Sequence, residues 1–155
     1  MYQFKVNFTI QLIHAEVHNR LGYNVSEEEE LIVKILVRGT DPQNYSAVKV
    51  EFLSEKDFFF LYQHNCDHNS FSNLHEEQGL KFEFPQYLTT LIQLFNRARE
   101  NPSVYKCNLQ INELNDADFF FNQMLSFKTI NLLSFKCYEF EPENEDINKH
   151  IKFRH

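Results

Sequence analysis

The sequence predicts a mostly β domain with a helical insert, an α+β fold in which about seven antiparallel strands form a sandwich or barrel. Apolar and polar residues alternate along several segments, which is typical of strands with one face in the core. A helix-turn-helix segment interrupts the series of strands. Gly and Pro are scarce, with 3 and 4 residues, and 43% apolar residues suffice for a single core in 155 residues.

Alternating segments in the first half of the chain predict the strands 4–12, 31–37 and 48–52. Asp41-Pro42 marks the turn between the second and third of these. An aromatic-rich strand is predicted at 58–62, followed by a polar turn. Four consecutive glutamates, 27–30, are interpreted as a solvated loop that discourages edge pairing by the strand after it.

The clearest helical pattern begins at Pro85, which suits a first helical turn because no amide donor is needed there. The helix is predicted to span 85–99 and to end before Asn101-Pro102. Its apolar face follows the spacing i, i+3, i+4 and i+7, at Leu88, Leu91, Ile92 and Phe95.

The remaining elements are a shorter helix and a set of strands. The helix is predicted near 68–77, with Asp67 or Asn69 as its cap, and a short strand is predicted at 81–84. Alternation then predicts strands at 105–111, 119–125 and 130–140. The last two are separated by a short turn, which indicates a hairpin.

Charge, cysteine content and hydropathy exclude several classes of protein. The net charge is −7 and the 15 basic residues are scattered, so we expect no nucleic-acid partner. The N-terminus has polar residues at every second position and no segment is long and apolar enough for a bilayer, so we expect no signal peptide and no membrane contact. Cys66, Cys107 and Cys137 are few and widely spaced, which favours reduced thiols in the cytoplasm.

One short segment contains residues that could carry chemistry. His64, Cys66 and His68, with His75 nearby, are candidate zinc ligands, but a structural zinc site needs four ligands and no second Cys-x-x-Cys-like pair follows. Cys66 could form a nucleophilic pair with a histidine, yet no Lys or Arg adjoins it to stabilise a thiolate. A polar turn explains the segment equally well. We therefore expect no enzyme, no cofactor and no metal.

The order of features between residues 56 and 95 is more specific than any of these. It comprises Asp57, Phe59-Phe60-Leu61-Tyr62, Phe71 with Leu74, Gln78 with Leu80, Glu83-Phe84, and an apolar helix over 88–95. This order resembles the N-terminal head domain of the spindle-assembly-abnormal (SAS) cartwheel proteins, the scaffolds of centrioles and basal bodies. One departure is Tyr87-Leu88, where the family usually has Phe-Pro entering the second helix.

The resemblance implies an XRCC-type head fold for residues 1–142 and a structural role in the cytoskeleton. Heads of this family form homodimers and, with a parallel coiled-coil tail, build the ninefold ring of the cartwheel hub. Residues 143–155, with Ile147 and Ile151 at i and i+4, are a candidate start of that tail. The implied partners are a second copy of the chain and other centriolar or microtubule-associated proteins.

Phe127 is the candidate interface residue. It lies between Ser126 and Lys128 in the short turn between the last two predicted strands. Without the resemblance, Phe127 is expected to fold back onto its own core or to begin the next strand as an inward residue, because burying such a ring is worth ~2 kcal/mol. In the cartwheel family a bulky apolar residue at this tip inserts into a pocket of a second head, and Phe127-Lys128 occupies the matching place.

Two alternatives remain open from the sequence. One is a tail-less SAS-like relative that belongs to an apical or basal-plate microtubule structure. The other is an XRCC-type DNA-repair scaffold head of the same general fold, which would pair its heads differently. A long heptad repeat after His155 would separate the cartwheel protein from its tail-less relative.

Overall fold

Seven strands and two α-helices make up the part of the chain that the computed structural model describes, residues 1–12 and 25–140. The predicted fold class, about seven strands with a helical insert, is confirmed. Residues 143–155, the candidate tail, lie outside the described residues. The elements in chain order are β1 (Tyr2–Leu12), β2 (Val25–Arg38), β3 (Ala47–Leu53), β4 (Leu61–Asp67), α1 (His68–Gln78), α2 (Tyr87–Glu100), β5 (Tyr105–Ile111), β6 (Asp116–Met124) and β7 (Thr129–Glu139).

The strands close into a barrel in the order β1-β2-β3-β4-β7-β6-β5. All neighbours are antiparallel except β1 and β5, which are parallel and close the barrel. The registers place the β6–β7 tip and the 39–46 loop at one end, which we call the hairpin end. The β3–β4 turn (54–60) and the β5–β6 turn (112–115) lie at the other end, which we call the turn end.

Phenylalanine rings fill the middle of the barrel. Phe52 packs against Phe8 and Phe119 with ring centroids 5.0 Å apart in both pairs, and Phe95 from α2 contacts the same group. All four rings are fully buried, so each contributes roughly 2 kcal/mol of apolar transfer free energy. Aromatic residues from four elements, β1, β3, α2 and β6, therefore join in one core.

The buried face of α2 differs in part from the predicted one. Leu88, Leu91 and Phe95 are buried as predicted, but Ile92 is only partly buried. The helix also buries Tyr87, Leu94 and Ala98, which rotates its inner face away from Ile92. Tyr87 was missed because its hydroxyl group needs a buried partner, which sequence periodicity does not reveal.

Strand β4 lies later in the chain than predicted. It spans Leu61–Asp67, and Phe58 and Phe59 belong to the preceding turn and are exposed. Within β4, His64 and Cys66 occupy the inward positions. The alternation was hidden because the inward His64 is a polar residue type. Asp67, one of the two proposed caps, is the N-cap of α1 and accepts a hydrogen bond of 2.9 Å from the Ser70 amide.

Two other local predictions were wrong. Residues 81–84 are not a strand, because Glu83 and Gln86 form a capping box around the 3-10 turn Phe84–Gln86 that leads into α2. The glutamates 27–30 are not a loop, because β2 extends through them and pairs with β1. Their backbone groups bond to β1, so strand formation outweighs the low β propensity of glutamate.

Tyr45 fixes the entry of α2 onto the barrel. Its buried hydroxyl group donates a hydrogen bond of 2.6 Å to the carbonyl oxygen of Phe84 and accepts one of 3.0 Å from the amide of Leu88. The second bond satisfies one of the free amide groups at the helix N-terminus. Tyr45, in the loop after β2, thus caps the N-terminus of α2 in place of a side chain at the helix's own N-cap position.

Candidate self-assembly site

The tip of the β6–β7 hairpin presents an isolated aromatic ring to solvent. The Leu125 amide donates a hydrogen bond of 2.9 Å to the carbonyl oxygen of Lys128, which closes the turn. Phe127 is 100% exposed, so it does not fold back onto its own core. Ser126 and Lys128, the other two predicted interface residues, flank it and are exposed as well.

A hydrogen bond next to the turn anchors the hairpin tip. The Met124 amide donates a hydrogen bond of 2.6 Å to the carbonyl oxygen of Val104, in the connection that follows α2. Met124 and Leu125 are 40% and 42% exposed, so the apolar surface extends from Phe127 along the hairpin. The backbone that carries Phe127 is therefore ordered before any partner binds, which lowers the entropic cost of burying the ring in a partner.

A gap in the barrel lies between β4 and β7. These strands pair through Tyr62 with Glu139 and Gln63 with Tyr138, and then diverge toward the hairpin end. The amide side chain of Gln78, at the end of α1, bridges part of the gap. Its Nε2 donates to the carbonyl oxygen of Ser134 at 2.7 Å and its Oε1 accepts from the Ser134 amide at 3.0 Å. Gln78 thus bonds to β7 as a peptide group of a neighbouring strand would.

His64 fills the interior side of the same gap. Its Nδ1 lies 3.1 Å from the carbonyl oxygen of Lys136, and its Nε2 lies 3.0 Å from the hydroxyl group of Tyr87. Its ring stacks on Phe135 with centroids 4.0 Å apart. Burial lowers the pKa of His64 to about 4, so the ring is neutral at pH 7. Burial raises the pKa of Tyr87 well above its ordinary value.

The diverging strands and α1 enclose a surface cleft of about 580 Å³. Its polar rim includes Asp118 and Lys136, whose charged groups lie 4.0 Å apart. A cleft of this volume is large enough to admit a phenylalanine side chain. Its apolar wall comes from three elements, at Leu74 of α1, Phe120 of β6, and Phe135 and Tyr138 of β7.

The histidines and cysteine proposed as alternative metal ligands are separated by the fold. His64 and Cys66 point into the barrel, whereas His75 lies on α1 with its Nε2 3.6 Å from Glu83. Within residues 1–12 and 25–140, no three His, Cys, Asp or Glu side chains are placed to hold a metal ion. Cys66 is buried, and burial raises the pKa of its thiol to about 12, which opposes a role as a nucleophile.

The cleft is the feature that sequence reasoning missed. Its walls come from α1, β4, β6 and β7, and the space exists because β4 and β7 separate after two residue pairs. No sequence pattern encodes that separation. The sequence places Gln78 directly before Gly79, the glycine that ends α1. That position is the only sequence feature that points to Gln78, and it does not predict the hydrogen bonds to Ser134.

A family model described as the centriolar protein SAS N-terminal domain matches residues 1–137. The chain belongs to this family. The match spans all seven strands and both helices almost to the end of β7, so the resemblance noted in the sequence is confirmed. The SAS N-terminal domain is a structural domain of centriolar proteins and not an enzyme family. No curated protein matches the chain significantly.

Solved structures of SAS-6 fragments share the fold of this SAS domain at low identity. An N-terminal fragment of Leishmania SAS-6 that contains part of its coiled coil is 13% identical with a TM-score of 0.75, covering 99% of this chain and 80% of that one. A second structure is a Drosophila melanogaster Sas-6 fragment in which a phenylalanine is replaced by aspartate and which is dimerised via its coiled-coil domain. It is 15% identical with a TM-score of 0.74, covering 100% of this chain and 72% of that one. The C. elegans SAS-6 N-terminal domain is 15% identical with a TM-score of 0.69, covering 91% of this chain and 100% of that one.

The helices of the described SAS domain are short. In residues 1–12 and 25–140, no helix has the length and apolar character needed to cross a bilayer.

Proposed function

We propose that this SAS domain is a self-assembly module whose heads pair through Phe127 to build the ninefold hub of a centriole or basal body. The observation that carries the proposal is a fully exposed phenylalanine on an anchored hairpin tip. Leaving this ring in water forgoes roughly 2 kcal/mol of burial free energy. An aromatic anchor that enters a partner's pocket is how small interfaces concentrate their binding energy.

The cleft beside β7 is the proposed receptor for Phe127 of the second head. It offers Leu74, Phe120 and Tyr138 as apolar contacts and lies on the same hairpin as the tip. Phe120 lies four residues before Met124, the last residue of β6, which is roughly 13 Å along the strand, and Phe127 lies in the turn beyond it. Two heads related by a twofold axis between these points would exchange their tips, so each head contributes one anchor and one cleft.

A ring needs a second contact besides the pairing of heads. Relatives from C. elegans and Drosophila have been solved as coiled-coil dimers. A coiled coil downstream of residue 140 would supply a second twofold axis, and the two axes together would propagate a closed ring. The segment 143–155 is the proposed beginning of that coiled coil, and other centriolar or microtubule-associated proteins would then bind the assembly.

Membership of the centriolar family favours this function over a DNA-repair scaffold head. A tail-less SAS-like protein of an apical or basal-plate microtubule structure would use the same head contact without forming the hub. Electron microscopy of the full-length protein separates the two, because only the cartwheel protein forms closed rings.

A pair of complementary variants tests the anchor and the receptor together. Phe127→Glu removes the anchor, and Phe120→Arg places a cation in the cleft. Phe120 is half-buried and outside the buried core, so the domain should stay folded. Neither variant should self-associate. An equimolar mixture should form heterodimers, because Phe127 of the Phe120→Arg head can enter the native cleft of the Phe127→Glu head. In the second contact, the introduced glutamate faces the introduced arginine. Self-association of Phe120→Arg at the wild-type level would show that Phe127 binds elsewhere.

A further inference from the structure

The turn end of the barrel displays a second pair of exposed aromatic rings. Phe58 and Phe59 in the β3–β4 turn are 56% and 86% exposed, and their rings form an edge-to-face pair with centroids 5.7 Å apart. This pair lies at the end opposite to Phe127. The nine residues of β6 separate the two ends by roughly 27 Å, and neither Phe58 nor Phe59 lines the cleft proposed as the receptor for Phe127.

The turn that presents these rings is held by side-chain hydrogen bonds. Ser54 Oγ accepts bonds from the amides of Lys56 and Asp57 at 3.1 and 3.2 Å. Asp57 in turn accepts 3.0 Å bonds from the Phe59 amide, through its carboxylate, and from the Phe60 amide, through its carbonyl oxygen. The exposure of the two rings is therefore a property of a well-ordered turn.

Contacts to the neighbouring strands fix the turn on the barrel. Ser54 Oγ donates a hydrogen bond of 2.6 Å to Glu29 of β2. Lys5 of β1 forms a salt bridge of 2.8 Å with Glu55. A preorganised apolar surface of this kind is typical of a binding site, because ordering it costs nothing when the partner arrives.

Carboxylates lie beside the turn that carries the aromatic pair. Glu29 contacts Ser54, Glu55 pairs with Lys5, Glu30 interacts electrostatically with Lys5, and Asp57 belongs to the turn, so four carboxylates outnumber the two lysines, Lys5 and Lys56. Glu30, Glu55 and Asp57 are exposed. The surface thus combines apolar ring faces with an acidic border, which is complementary to lysine and arginine side chains that stack on aromatic rings while they approach carboxylates.

We infer that the turn end, formed by Phe58, Phe59 and the carboxylates Glu30, Glu55 and Asp57, is a docking surface for a basic segment of a partner protein with apolar anchor residues. The sequence directly after Phe140 begins with Glu141, Glu143 and Glu145, whose charge has the wrong sign for this surface. A partner in trans therefore fits better than the chain's own next residues. The inference is independent of the proposed head pairing, since neither Phe58 nor Phe59 belongs to the hairpin tip or to the cleft.

A binding assay with a defined probe tests this inference. The probe is a fluorescent heptapeptide that alternates lysine or arginine with leucine and phenylalanine, and its control carries glutamate at the basic positions. We expect the wild-type protein to bind the basic probe and not the acidic control. Phe59→Ser and Glu30→Lys should each raise Kd about fivefold or more, and added salt should weaken binding. Glu30 is chosen because it is exposed and interacts with Lys5, whereas Glu29 holds the turn through Ser54.

Phe127→Ser is the matched control, because it changes an exposed phenylalanine in the same way at the hairpin end. It should bind the probe like the wild type. Equal affinity for the acidic peptide, unchanged affinity in Phe59→Ser, or an equal loss in Phe127→Ser would overturn the inference. A deletion of residues 149–155, which contain Lys149, Lys152 and Arg154, should leave the affinity unchanged. A higher affinity after that deletion would show that the chain's own basic segment occupies the surface.

Discussion

The hydroxyl group of Tyr87 donates a hydrogen bond of 3.0 Å to Nε2 of His64. The direction follows from the other ring nitrogen, because Nδ1 faces the carbonyl oxygen of Lys136 at 3.1 Å and must carry the proton. The neutral imidazole therefore connects the first turn of α2 to β7 where β4 and β7 diverge. This connection closes the inner side of the cleft that we propose as the receptor for Phe127.

Protonation of His64 should destabilise the domain in mild acid. The pKa of His64 is about 4 in the folded state and about 6.5 when unfolded, so between these values only the unfolded chain binds the proton. Stability is then complete above about pH 6.5 and falls by about 3 kcal/mol toward pH 4. Urea unfolding at a series of pH values measures this. His64→Gln should flatten the dependence of the unfolding free energy on pH. His68→Gln is the control, because His68 is exposed, and it should keep the wild-type dependence. Equal pH dependence in the wild type and both variants would show that His64 is not the group responsible.

Gln78→Ala should destabilise the domain by about 1–3 kcal/mol, because it leaves the partly buried amide and carbonyl groups of Ser134 without their partner. Gln93→Ala is the control, since Gln93 is exposed on α2 and should change the free energy of unfolding by less than about 0.5 kcal/mol. Chemical denaturation of both variants measures the difference. Equal small effects would mean that the bridge between α1 and β7 contributes nothing.

Leu91→Asp should unfold the domain, because Leu91 is fully buried and an unpaired carboxylate there costs several kcal/mol. Ile92→Asp should cost much less, since Ile92 is only partly buried at the edge of the helix face. Circular dichroism melting curves of the two proteins test the placement of α2. A folded Leu91→Asp protein, or an unfolded Ile92→Asp protein, would show that the inner face is different.

Protein purified without a histidine tag should contain no stoichiometric zinc, because the ligand set around His64 and Cys66 is incomplete and split between the barrel interior and α1. Elemental analysis measures this directly. One zinc per chain, lost together with stability in Cys66→Ala, would contradict the expectation.

The strands with strict alternation and the α2 helix could be predicted from sequence because each buries residues at a regular period. The prediction failed where a buried position holds a polar residue type, as at His64 in β4, or where charged residues continue a strand, as at Glu29 in β2. Phe127 could be singled out because a phenylalanine in a short turn is unusual. The cleft could not, since its walls come from four elements and depend on how far β4 and β7 diverge.

The pairing of heads through Phe127 is the central claim, and sedimentation velocity over a range of concentrations tests it most directly. Wild-type protein should dimerise reversibly, with roughly micromolar to millimolar affinity for one aromatic anchor in a small interface. Phe127→Glu should remain monomeric and melt like the wild type, because its side chain is fully exposed. Lys128→Ala, a rim charge, should cost less than about 1 kcal/mol of pairing free energy. Leu114→Glu is the matched control, because it also replaces an exposed apolar residue with glutamate, but at the turn end. Leu114 is 82% exposed, and this variant should pair normally. A Phe127→Glu protein that dimerises like the wild type would contradict the account.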